Sequence, residues 1–284
     1  MGSSGLLVLA DALGSGDSPR DALAASVAAN EQNPTRELLW GSPGTMLAAL
    51  AMVRRTGEQR WADLWRASAR WLLEEWRDEV WEQDMYGRRL SFAGAGHGFA
   101  GNAHALLRGR DLLDDATAVA VEHRVADTLG RLAEHDGALV QWPAIVGRDA
   151  REPARRTQWC HGAPGVVLAL AGLLSRDGAV DALLTGAGEL TWQAGPLRAN
   201  ASLCHGTAGN GYAFLRLFDR TGDELWLDRA RSFALHAVRQ LEAAERADGC
   251  ARWALFTGAA GVALQLASCL DADPRFPVLD GVDP

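Results

Sequence analysis

The sequence contains no lysine: all 28 of its basic side chains are arginine. That excludes lysine Schiff-base chemistry on this chain. Cysteine is scarce too. Cys160, Cys204, Cys250 and Cys269 are too few for a disulfide framework in 284 residues, and in a reducing cytoplasm such thiols are metal ligands or inert core residues. No apolar stretch reaches the ~18–20 uncharged residues of a membrane-spanning helix, and the N-terminus has no basic segment leading into an apolar run and a cleavage site. The net charge is −8, whereas phosphate binding needs clustered cations, so nucleic acid is excluded as a partner. Together these absences lead to the expectation of a cytoplasmic protein without a membrane span. With its alanine content, the arginine bias points to a GC-rich bacterial genome.

What is present is ordinary in bulk, 48% hydrophobic and 23% charged, and long enough to bury a substantial core as one domain over residues 1–284. The information lies in repetition. Gly-x-x-Gly followed by an apolar run occurs six times: Gly2–Gly5, Gly41–Gly44, Gly98–Gly101, Gly162–Gly165, Gly206–Gly209 and Gly258–Gly261. The first copy, GSSG, continues directly into LLVLADAL and reads as a repeat rather than a cloning scar.

Between the copies lie amphipathic stretches. Trp61, Leu64, Trp65, Ala69 and Leu72 share one helix face, as do Trp226, Ala230, Phe233, Ala234 and Ala237. Similar stretches cover residues 18–32, 115–135 and 178–194. Helices apolar on every side must be buried, and amphipathic ones must cover them. The alternation predicts an all-α fold, an α/α toroid with an inner ring of apolar helices inside an outer ring. The first copy has no amphipathic stretch ahead of it, and the expectation is either a truncated chain or a ring closed without its first outer helix. Glycines at the inner N-termini permit close approach and φ > 0, and are expected to leave first-turn N–H groups unobstructed and electropositive toward the central cavity.

Two copies carry more than glycine. Cys160-His161 precedes Gly162 and Cys204-His205 precedes Gly206, so each pair stands at the mouth of an inner helix. Two thiols and one or two imidazoles on converging loops are a zinc set by ligand type. Spacing alone leaves open a closed Cys₂His₂ structural site or an open Cys₂His catalytic one. Cys269, in an apolar helical run, reads as core, and Cys250 lies in a loop.

WCHGAPG, LCHGTAGN, GAGHGFAGN and the six repeats resemble the lanthionine synthetase C-like (LanC-like) family, over essentially the whole chain. The resemblance implies one zinc ion held by Cys160, Cys204 and His205, with water or a substrate thiol in the fourth position and His161 as a neighbour. It implies addition of a zinc-bound cysteine thiolate to dehydroalanine or dehydrobutyrine, closing the thioether rings of lanthionine peptides. His97 falls at the family's catalytic histidine, where a general acid would protonate the α-carbon. Arg156 matches an arginine lining the site. Glu37 stands where peptide-cyclising members carry aspartate, and this departure, with WEQDMYGRR at residues 81–89, resembles the branch that adds glutathione. His104, His123, His135 and His236 fall in helical segments and read as structural.

The implied partners are a dehydrated precursor peptide or glutathione, with a dehydratase partner left open. A zinc-stabilised peptide-binding scaffold is the non-enzymatic alternative. Carbohydrate hydrolysis or lysis on a toroid lacks an obvious carboxylate pair.

Overall fold

The computed structural model describes residues 3–85, 87–147, 156–198, 200–250, 252–277, 279 and 280. Gly2, Tyr86, Arg151 and Arg155 lie outside the described residues. Six helices carry the glycine motifs or, for the first, its second glycine: α1 (Ser4–Ala12), α3 (Ser42–Thr56), α5 (Phe99–Arg108), α7 (Ala163–Leu170), α9 (Thr207–Thr221) and α11 (Ala259–Asp271). They alternate with α2 (Ser18–Ala29), α4 (Gln59–Glu74), α6 (Asp115–Leu132), α8 (Gly178–Ala194) and α10 (Glu224–Asp248). Each motif helix packs on the next in the series, and each intervening helix lies against the motif helix before it. This is the double-layered α/α toroid that the repeats predict. Trp61, Trp65, Ala69 and Leu72 are buried on α4, as are Trp226, Ala230, Phe233, Ala234 and Ala237 on α10.

The second glycine of each described motif has a single steric cause. At Gly44, Gly101, Gly165, Gly209 and Gly261 a Cβ would stand 1.9–2.2 Å from the carbonyl oxygen six residues upstream. The loop folds back onto the first helical turn, and only glycine leaves room for it. The same fold-back overturns one expectation. Carbonyls of the loop accept hydrogen bonds from first-turn N–H groups seven residues on: Ala100 to Ala93, Gly101 to Gly94, Ala208 to Ala201 and Ala259 to Arg252. These donors are capped by the chain's own loops rather than open to the cavity, because the glycines that admit close approach admit the backbone itself.

The described C-terminal residues pack against the inner helices. Phe276 is buried against Trp159, Tyr212 and Phe256. The Asp280 carboxylate pairs with Arg216 of α9, while its carbonyl accepts from Arg108 of α5 at 2.7 Å. A segment that touches α5 and α9 at once, with α7 between them, lies on the inner side.

Three features depart from the sequence reading. Leu6 and Leu9 of α1 and Leu264 and Leu270 of α11 are exposed, because these end helices have no outer helix on one side among the described residues. Short strands interrupt the helices: β1 (Gln83–Met85), β2 (Arg88–Phe92) and β5 (Ile145–Val146) form one antiparallel sheet, β3 (Glu134–Asp136) and β4 (Leu139–Gln141) a hairpin. His135 therefore lies in a strand, not a helix. The chain leaves α6 at Ala133 and turns at Gly137, whose φ of 61° is left-handed. Sheet β1–β2–β5 feeds the chain from β2 into the loop before α5.

Candidate metal centre

The loops ahead of the inner helices are stitched edge to edge. Gly96 N–H donates to the Cys160 carbonyl at 3.2 Å, Cys160 N–H to the Cys204 carbonyl at 3.3 Å, and Cys204 N–H to the Phe256 carbonyl at 3.0 Å. Gly94 and Gly96 admit this contact, since a Cβ on Gly96 would stand 2.9 Å from that of Cys160. Four equivalent loops thus present equivalent positions to one place. The residues just before the first glycine of successive motifs are Trp40, His97, His161, His205 and Thr257. The ring of His97 lies 5.5 Å from Trp40 and 5.3 Å from His161.

Cys160, Cys204 and His205 bring their ligand atoms within 4.8 Å of one another, with Cys160 Sγ 3.8 Å from His205 Nδ1. A tetrahedral zinc ion with Zn–S near ~2.3 Å and Zn–N near ~2.0 Å sets sulfur and nitrogen roughly 3.5 Å apart, so the three donors fit one ion with little movement. The electrostatics agree. A hydrogen bond from Cys204, opposed by burial and helped by His205, pulls the Cys160 thiol below the ordinary thiol range. Cys204 is pushed far up, because it donates to Cys160 and is buried beside its charge. Two thiolates in one half-buried place call for a cation between them.

Glu37 is fully buried. Its carboxylate accepts from Leu39 N–H at 2.9 Å, from Trp40 N–H, and meets His97 Nδ1 at 2.9 Å. A carboxylate there selects the tautomer with hydrogen on Nδ1 and leaves Nε2 as the nitrogen free to exchange a proton. His97 is 16% exposed, and Trp40, stacked on it, is 45% exposed. His161 is kept neutral, its pKa driven to about 3 by burial and by the neighbouring His97, Arg156 and His205. Its buried Nδ1 meets no partner among the described residues.

The model of the family described as "Lanthionine synthetase C-like protein" matches residues 5–280 of the chain. The chain belongs to the lanthionine synthetase C-like family. Glutathione S-transferase LANCL1 of Danio rerio is 37% identical to this LanC-like chain over 131 residues, 43% of the chain and 31% of that protein. LanC-like protein GCL1 of Arabidopsis thaliana is 34% identical over 134 residues, 42% of the chain and 29% of that protein. The LanC-like chain thus spans about a third of the length of these curated relatives. Among solved structures, nisin cyclase superposes with a TM-score of 0.72 at 16% identity, covering 93% of this chain and 72% of that one. That likeness establishes the toroid.

Of the site residues that the sequence singles out, the LanC-like fold brings Cys160, Cys204, His205, His97 and Glu37 to one mouth of the ring. Arg156 is exposed and makes no side-chain hydrogen bond or ion pair with another described residue; its charge is felt at His161. Trp40, Phe92 and Gln158 were missed. Phe92 packs 5.6 Å from the His161 ring, and Gln158 accepts from the Cys160 thiol at 3.7 Å. Trp40 had a signal, being the counterpart of the three histidines in its own motif. Among the other histidines, His104 is buried on α5 with Nδ1 2.8 Å from the Ala169 carbonyl. Cys269 is buried and Cys250 exposed.

Proposed function

We propose that this chain adds a cysteine thiol to dehydroalanine or dehydrobutyrine in a peptide, closing lanthionine-type thioether rings, with zinc held by Cys160, Cys204 and His205. The reading is carried by one observation: a three-ligand thiol–imidazole cluster beside a histidine whose Nδ1 is held by a buried carboxylate. When bound, zinc supplies the positive charge that turns a substrate thiol into a thiolate at neutral pH, in a position the protein leaves open. Sulfur attacks the β-carbon, the carbon–carbon π pair moves toward the carbonyl, and an enolate forms on the substrate. His97, as the imidazolium, delivers its Nε2 proton to the α-carbon and is recharged by the proton that the substrate thiol releases, while Glu37 holds Nδ1–H and balances the imidazolium charge. Trp40 walls one face of His97 and shields it from water. Arg156 contributes positive charge at the rim.

A second reading, addition of glutathione to the same electrophiles, is favoured by Glu37 in place of aspartate and by the likeness to a relative named a glutathione S-transferase. The two are separated by one assay. Zinc-loaded protein is incubated with a dehydrated peptide bearing a free cysteine, and in parallel with a cysteine-free dehydroalanine peptide plus glutathione. Free-thiol alkylation reads the first arm, since cyclisation leaves mass unchanged; a mass increase reads the second. The proposal expects the first arm to be faster, and His97→Asn to keep zinc while slowing addition by roughly 10²–10⁴-fold, the scale of general acid catalysis. A faster second arm moves the assignment to glutathione, and no acceleration in either arm contradicts enzymatic addition.

A further inference from the structure

The turn that carries Glu37 is held by residues that touch neither zinc ligand nor histidine. Arg36, immediately before Glu37, has φ 41°, one of two non-glycine residues with positive φ among those described. That conformation is disfavoured for a side chain with a Cβ and persists only where surroundings impose it. Its carbonyl accepts from two amides on different elements: Asn102 Nδ2 of α5 at 2.8 Å and Gln83 Nε2 of β1 at 3.2 Å. Both amides are completely buried. Gln83 uses its other atom as well, for its Oε1 accepts from Phe92 N–H at 2.9 Å. It therefore ties the Glu37 turn to the end of β2, from which the His97 loop departs.

The Arg36 side chain is anchored separately. It pairs with Glu75 at 2.6 Å, donates to the Glu82 carbonyl at 3.0 Å and lies over the ring of Trp71. The ring has a second version of this device. Asn210, which occupies in α9 the position of Asn102 in α5, donates to the Thr157 carbonyl at 2.9 Å, three residues ahead of Cys160. Thr157 and Arg36 are equivalent, each five residues before the first glycine of its motif.

We infer that Asn102 and Gln83 are positioning residues: they clamp the Arg36 carbonyl in its left-handed turn and so hold the Glu37 carboxylate on His97 Nδ1 and Trp40 against the His97 face. This gives the Trp81–Arg89 stretch its part in the site, through Gln83. An unclamped turn relaxes toward ordinary φ, which swings Glu37 and Trp40 away from His97 together. The catalytic consequence rests on the function proposed above, whereas the geometric claim does not.

The test uses Asn102→Leu and Gln83→Met in the full chain, near-isosteric changes that remove the donors and bury no new charge. The geometric readout is the low-field Nδ1 proton of His97 by NMR on nitrogen-labelled protein, assigned by its loss in His97→Asn. It is expected to be lost or shifted in both variants, as in Glu37→Gln, and to stay in place in Asn210→Leu, which breaks the equivalent clamp on the other loop. In the addition assay kcat is expected to fall about 10–100-fold, as for small misplacements of a reacting group, with KM within about threefold and zinc stoichiometry unchanged. If one variant unfolds, the other carries the test. A His97 proton at its wild-type position in a folded Asn102→Leu or Gln83→Met protein overturns the clamp. If the wild type adds no thiol to either substrate, the proposed function fails while the proton resonance still decides the clamp.

Discussion

Single buried side chains decide this site because each has few ways of being satisfied. Glu37 fills its carboxylate with two backbone N–H groups of its own turn and one imidazole, so parting it from His97 leaves the Nδ1–H donor unmatched. His104 shows the same economy away from the site. Its Nδ1 lies 2.8 Å from the Ala169 carbonyl and its Nε2 3.3 Å from the Leu279 carbonyl, so the neutral ring donates to Ala169. Burial lowers its pKa below 6.5, more than the Asp280 carboxylate and the Ala169 bond raise it, with Arg216 and Arg108 adding to the lowering. The sign of the linkage follows. Below pH 6.5 the unfolded chain takes up a proton that the folded chain refuses, so this residue's contribution to stability declines as pH falls, by at most ~1.4 kcal/mol per pH unit. In urea unfolding, His104→Gln should be less stable than wild type at pH 7 and should close part of that gap by pH 5. Equal pH dependence of the two proteins would show that His104 titrates alike folded and unfolded.

At the scale of helices and loops, most of the architecture was legible because the repeats write it six times over. The amphipathic faces of α4 and α10 and the span of α8 follow from periodicity alone. What periodicity could not carry were strands of two to five residues, too short for an alternating pattern, and the end of α6 at Leu132, beyond which the chain enters β3 and turns back at Gly137. The motif glycines carry two expectations, φ > 0 and close backbone approach. Positive φ holds at Gly98 and Gly162, at 117° and 110°, but the commoner reason is crowding. Gly209→Ala would place a methyl 1.9 Å from the Leu203 carbonyl oxygen, one residue from Cys204, and should destabilise by about 1–3 kcal/mol, the range for forced overpacking. Gly130→Ala, exposed on α6 with nothing within 4 Å of the added carbon, should stabilise by roughly 0.5–1 kcal/mol through helix propensity. Chemical denaturation of both variants checks the pair, and a Gly209→Ala protein as stable as wild type would contradict the crowding.

For the whole molecule, the toroid acts as a device for convergence: loops joined by backbone hydrogen bonds from Gly96 to Phe256 bring residues 97, 160, 204 and 205 to one mouth, and the loop ahead of α3 adds Glu37 through its contact with His97. The two Cys-His-Gly motifs made the ligands legible in the sequence. The supports Asn102 and Gln83 were not, because they act through contacts across repeats that no local pattern encodes. The C-terminal segment gives Phe276 as a support for the same loops, stacked at 5.1 Å on Trp159, the neighbour of Cys160.

The central claim is that one metal ion at Cys160, Cys204 and His205 makes the thiol addition possible, and a titration addresses it most directly. Protein stripped with a chelator is supplied with increasing zinc, and bound metal and the initial rate of thiol addition to a dehydroalanine peptide are measured on the same samples. The account predicts a rate that rises in proportion to bound zinc and levels off at one ion per chain, with neither stoichiometric zinc nor accelerated addition in Cys204→Ala. Full activity in the stripped protein, or zinc and activity both retained in Cys204→Ala, would contradict it.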